Sequence, residues 1–133
     1  MKKITHLITL IAVGIGLTAL LVEAAPLSET DKQFLGRYEK VRSALAADDL
    51  GAAKTAAGDL GDEGAELTKS NSLKDARAAF EKLSDKAKQL AAGQSGFYVA
   101  HCPMLKKDWV QISEKIANPY GGKEMVTCGE IKK

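Results

Sequence analysis

The stretch LKDARAAFEKLSDKAKQL, residues 73–90, sets the expectation for the whole fold. Leu73, Ala76, Phe80, Leu83, Ala87 and Leu90 recur every three or four positions, so one face of a helix is apolar. Lys and Asp fill the opposite face, the pattern of a solvated surface. Ser70 to Ser72 supply N-cap chemistry, and Gly93 and Gly96 supply a stop.

Two further helices are expected upstream. Ser28 is a good N-cap, with Glu29 and Asp31 in the first turn, where carboxylates complement the helix dipole. Phe34, Leu35, Tyr38, Val41 and Leu45 then form one apolar face. Asp48 or Asp49 ends this helix and caps the next. The next runs from Leu50 to Leu67 on Leu50, Ala53, Ala56, Ala57, Leu60 and Leu67. Gly58, Gly61 and Gly64 interrupt it, each costing up to about 1 kcal/mol relative to Ala in a helix interior. Either the helix breaks near Gly61 or the glycines let a neighbour pack closely. Phe34, Tyr38 and Phe80 are expected in the core. Phe97 to Ala100 reads at most as a short extended stretch, and no alternation is strong enough to predict a sheet. The expected fold is therefore all-α: an antiparallel bundle of three long helices, with an irregular C-terminal segment ending in a short helix.

Residues 1–24 read as a secretory signal peptide. Lys2 and Lys3 precede an apolar run from Leu7 to Val22, and Val22-Glu23-Ala24 precedes the expected cut. The run is shorter and more glycine-interrupted than a membrane-spanning helix of roughly 20 residues, so contact with a membrane is expected only through this segment if it stays uncleaved. The remaining 25–133 form one helical domain, with a helical scaffold over 28–92 and a Cys/Met-containing segment over 93–133. Removing Lys2, Lys3 and Glu23 leaves 17 basic and 16 acidic residues. That balance, without a basic stripe carrying interleaved aromatics, argues against nucleic acid as a partner. Export points to the periplasm, an oxidising compartment.

The distinctive chemistry lies after His101. Pro103 favours extended backbone, so Cys102 and Met104 point one way and His101 the other. Met125 and Cys128 share a face on a helical turn. Two readings of these sulfurs stand side by side. Cys102, Met104, Met125 and Cys128 can converge as soft ligands for Cu(I) or Ag(I), with His101 joining from the side. Alternatively, Cys102 and Cys128 close a disulfide with the methionines packed beside it. Four Cys or His ligands for a closed zinc site are lacking. Asn118-Pro119-Tyr120-Gly121 is a turn by composition, and Gly129 is a stop for a short helix starting near Lys123.

Cys102-Pro103-Met104, Trp109-Val110-Gln111, Ile116 through Gly121, and Met125 through Gly129 also carry a resemblance. The chain resembles an uncharacterised helical domain often appended to periplasmic adaptor subunits of heavy-metal efflux systems. The upstream Phe34, Tyr38 and Leu45 and the Ala78-Ala79-Phe80 group are similar to its helices. Gly121 departs from the family pattern, which usually has a second aromatic there. The resemblance implies a periplasmic location, a link to copper or silver handling, and an efflux adaptor or other envelope protein as partner. No metalloprotease, phosphate-loop or nucleophile-elbow pattern is present, so an enzyme is not expected.

Overall fold

The structure, a computed structural model, describes residues 23–133. Except for Glu23 and Ala24, the expected signal peptide lies outside them. Four helices form: α1 (Glu29–Ala46), α2 (Leu50–Gly58), α3 (Ala65–Thr68) and α4 (Leu73–Ala91). Each long helix starts where a short polar side chain can accept an otherwise orphaned N–H. Ser28 Oγ accepts from Asp31 N at 3.1 Å, Asp49 Oδ1 from Ala52 N at 2.8 Å, and Ser72 Oγ from Asp75 N at 3.1 Å.

Of the two readings of residues 50–67, the break near Gly61 is met. α2 ends at Gly58, Gly61 takes a left-handed φ of +60°, and a 3-10 turn at Gly61–Gly64 leads into α3. Gly64 also allows the close approach. A Cβ there would collide with the backbone carbonyl of Ala57, so only glycine lets this turn fold back onto α2. The glycines therefore both break the helix and admit its neighbour.

The all-α expectation is overturned by a three-stranded antiparallel sheet, which makes the fold mixed α/β. Its strands are β1 (Tyr98–Cys102), β2 (Lys107–Gln111) and β3 (Glu130–Ile131), in the order β2-β1-β3. Ala100 pairs with Trp109 on one side and Ile131 on the other. The sheet left no alternating signature because β2 is covered on both faces. Trp109, Val110 and Gln111 are buried in succession, and a doubly covered strand loses its apolar-polar alternation. Near Lys123 a 3-10 turn, Gly122–Met125, stands where a short helix was expected.

The core joins both halves of the chain. Phe34, Tyr38, Phe80, Tyr120 and Trp109 form a run of rings with successive centroids 6.3, 5.0, 5.6 and 6.4 Å apart. Tyr38 also covers the free edge of β2, because its hydroxyl accepts from Val110 N at 3.1 Å. An otherwise open strand edge is thereby paired.

Candidate functional site

The C-terminal lobe, residues 97–133, gathers most of the residues singled out by sequence. Cys102, at the end of β1, is disulfide-bonded to Cys128, just before β3. Their Cα atoms lie 5.7 Å apart, within the span a disulfide bridges without backbone movement. The bond closes the loop that returns the chain to the sheet. Met104 does not join these sulfurs. It sits in the turn between β1 and β2 and is 75% exposed. Met125 is half-buried against the core, one turn before Cys128. His101 faces away from Cys102, as strand alternation requires.

Asn118 organises the loop that the disulfide closes. It is fully buried, and its Oδ1 accepts from Tyr120 N at 2.8 Å and Gly121 N at 3.0 Å. Its Nδ2 donates to Cys128 O at 2.9 Å, and its own N–H bonds Val126 O. The Asn-Pro-Tyr-Gly turn is thus an Asx turn whose side chain also fastens the disulfide strand. Gly129 ends no helix. Its φ of +152° is a glycine conformation, and a Cβ there would stand 2.8 Å from Trp109 Cη2.

Trp109 and Tyr120 both serve the interior. Trp109 is fully buried and donates to Gln111 Oε1 at 2.9 Å, while Gln111 Nε2 donates to the carbonyls of Ser113 and Lys115. Tyr120 and Tyr38 both bond Ser84 Oγ, at 3.1 and 3.0 Å. Burial pushes both phenols well above their ordinary range.

Two arginines that sequence reading passed over tie this lobe to the helices. Arg42, held bidentately by Glu39, donates to Ala117 O at 2.7 Å. Arg77 donates to Pro119 O at 2.8 Å, Leu45 O at 3.0 Å and Asp48 Oδ1 at 2.5 Å. Arg42 did leave a signal: it interrupts an apolar face between Tyr38 and Leu45. The Asp48 carboxyl is lowered from its ordinary pKa, first by its bond from Arg77 and then by that from Lys123 N.

On the outer face of the sheet, His101 Nδ1 lies 2.6 Å from Asp108 Oδ1, and Lys132 Nζ reaches Asp108 Oδ2 at 2.9 Å. Partial burial alone would raise the Asp108 carboxyl. The bonds to Lys132 and His101 outweigh it and lower the pKa. The pairs of Lys88 with Asp85 and of Lys107 with Glu81 stand nearby. This is a network of internally matched charges.

Among the described residues, no three His, Cys, Asp or Glu side chains cluster closely enough to hold a metal ion. The two cysteine sulfurs are bonded to each other, and a thiolate rather than a disulfide is the metal ligand. Among the described residues, no helix is long and apolar enough to cross a membrane. No family model, curated protein or solved structure matches the chain.

A second feature lies beside α1. Pro26, Leu27, Leu35, Gly36, Phe97 and Ile112 line an apolar groove of about 570 Å³, with Lys32 and Glu39 at its margin.

Proposed function

We propose that this is an exported, non-catalytic envelope protein whose disulfide-closed C-terminal lobe is an interaction module. In this reading the leader is removed after Ala24 and the chain works in the periplasm. Its partner is another envelope protein, with an efflux adaptor the first candidate from the resemblance of the Cys-Pro-Met and Asn-Pro-Tyr segments. The observation that carries the reading is Met104. It is 75% exposed at the tip of a hairpin whose preceding strand ends at Cys102, fully buried and covalently tied. A polarizable, adaptable side chain on a rigid support suits partner recognition.

The test is site-specific photo-crosslinking in the cell envelope. A crosslinker at position 104 should capture a discrete envelope protein, and one at Lys40, on the exposed side of α1, should not. Cys102→Ser with Cys128→Ser should abolish the product. Indiscriminate labelling at both positions would sink the proposal.

One observation favours a second reading in the reduced state. Cys102 and Cys128 are already neighbours, and Met125 is one turn from Cys128. Reduction would free two thiolates for a soft cation such as Cu(I) or Ag(I), with Met125 as third donor and Met104 and His101 outside the set. A competition titration with a Cu(I) chelator on oxidised and reduced protein separates the two. The interaction reading expects no tight binding by the oxidised form. The metal reading expects tight binding by the reduced form that Met125→Ala weakens.

A further inference from the structure

We infer that the groove beside α1 binds a single-chain amphiphile with an anionic head, its chain lying over Gly36 and its head at Lys32. Phe97 and Ile112 place this site at the open end of the β1–β2 hairpin, opposite the turn that carries Met104, and it does not depend on the function proposed for Met104.

Gly36 motivates the inference. It lies in the interior of an 18-residue helix, where glycine weakens the helix relative to alanine. Internal packing gives no reason for it: a Cβ at this position would meet nothing within 4 Å. Gly64, by contrast, is required by contact with Ala57. Gly36 instead lines the groove, where its missing side chain lets an occupant approach the helix backbone. Across from it, Ile112 is 57% exposed although it is a large aliphatic side chain. The opposite wall, Pro26 and Leu27, is held in place where Gln94 Nε2 donates to Ala25 O at 2.7 Å.

Size and charge narrow the occupant. A groove of about 570 Å³ falls inside the roughly 300–1,000 Å³ range of small-molecule sites. Its walls are mainly aliphatic and aromatic, which fits a hydrocarbon chain. Of the two charged side chains at the margin, Glu39 is committed to Arg42 through two bonds, at 2.6 and 2.8 Å. Lys32 pairs with Glu29, but the two side chains are 57% and 81% exposed. Exposed pairs of this kind contribute little and exchange readily. Lys32 is therefore the exchangeable cation among the lining side chains; removal of the leader after Ala24 adds the α-ammonium of Ala25 next to Pro26, and the complementary head is an anion.

The experiment titrates the full mature chain with laurate below its aggregation limit. Acetate serves as the head alone and dodecyltrimethylammonium as the reversed head. Amide and methyl NMR shifts are followed at Leu27, Gly36, Phe97 and Ile112. Laurate should saturate one site, acetate should not bind, and the cationic chain should bind more weakly. Gly36→Leu should remove laurate binding while leaving the melting temperature equal or higher, because leucine favours the helix and fills only the groove. Lys32→Glu should weaken laurate about tenfold and narrow its advantage over the cationic chain. Ile112→Ser gives a second test of the trough and should also weaken binding. The inference is overturned by any of three results: no saturable laurate binding, affinity indifferent to Gly36→Leu and Ile112→Ser, or equal affinity for both heads. It is likewise overturned if sedimentation shows the wild-type chain self-associating through this face, which would make a second copy the occupant.

Discussion

The two halves of this chain reach a buried core by different means. Residues 28–92 do so by repetition. Small and aliphatic side chains recur at helical spacing around Phe34, Tyr38 and Phe80, and apart from these rings each contributes a modest share. Residues 97–133 do so by individual bonds: one disulfide, one asparagine making three side-chain hydrogen bonds, and two arginines reaching in from the helices. A repetitive half degrades gradually when single residues change. A half held by individual bonds fails at particular points, and the failures are predictable.

The largest effect should come from the residue both halves share. Phe80 is fully buried on α4, stacks on Tyr38 and meets the Tyr120 ring at a tilt of 56°. Phe80→Ala should cost about 4 kcal/mol of unfolding free energy, from lost transfer energy and the cavity left behind. Denaturant unfolding should show one transition, shifted for helical and tertiary signals alike. A loss confined to one half would mean the halves do not share a core.

Breaking the disulfide should separate the halves. Replacing Cys102 and Cys128 with serine removes a link between positions 26 apart, worth on the order of 3.5 kcal/mol in the chain-entropy model. The two effects therefore compare in size but differ in place. Backbone amides of residues 118–131 should lose hydrogen-exchange protection before those of α1 and α4. Uniform loss across both halves would show that the disulfide restrains only the unfolded chain.

This contrast explains what the sequence made legible. α1 and α4 were readable because periodic burial writes itself into composition, and Ser28, Asp49 and Ser72 cap as their chemistry dictates. The sheet was not readable. Its strands are short, and Trp109-Val110-Gln111 is buried without alternation. The Asn-Pro-Tyr-Gly turn was legible as a turn, but its task of fastening Cys128 was not. That depends on a partner ten residues away. The roles of Arg42 and Arg77 lie further still from local reading, since their acceptors are 75 and 42 residues distant in the chain. The Cys102–Cys128 disulfide was one of two readings, both of which brought the cysteines together. Convergence of Met104 with them was not met, because the hairpin turn carries that side chain into solvent.

Asn118→Ala sharpens the comparison at smaller scale. It leaves the N–H groups of Tyr120 and Gly121 and the carbonyl of Cys128 without their partner. Polar groups stranded in this way cost about 1 kcal/mol each, or about 3 kcal/mol together. A size-matched change on the repetitive half, Ala79→Gly, removes no side-chain hydrogen bond and should cost about 1 kcal/mol through helix propensity. Differential scanning calorimetry on both variants decides the matter. If the two cost the same, the C-terminal half is not especially dependent on its individual bonds.

The smallest effect concerns the contact between the halves and is best read through pH. Asp48 takes bonds from Arg77 on α4 and from the backbone of Lys123, and its pKa is lowered in the folded state. A carboxyl with a depressed folded pKa contributes stability above its unfolded value, near 4, and loses it as pH falls through the lower folded value. Asp48→Asn keeps an oxygen to accept from Lys123 N–H and suits the left-handed φ of +57°, which asparagine tolerates. It removes the charge and puts an amide N–H in place of the oxygen that faces Arg77. Stability at neutral pH should therefore fall by what the ion pair contributes, and the decline between about pH 5 and pH 2 should become shallower than in the parent chain, so that the two chains converge in acid. Asp108→Asn is the informative control, because Asp108 also has a lowered pKa but serves the outer face of the sheet. Acid loss relieved by the change at 48 should move the helical and lobe signals together, while relief at 108 should favour the lobe. Identical acid profiles for the parent and Asp48→Asn would mean that neutral hydrogen bonds, rather than the Asp48–Arg77 ion pair, hold the two halves together.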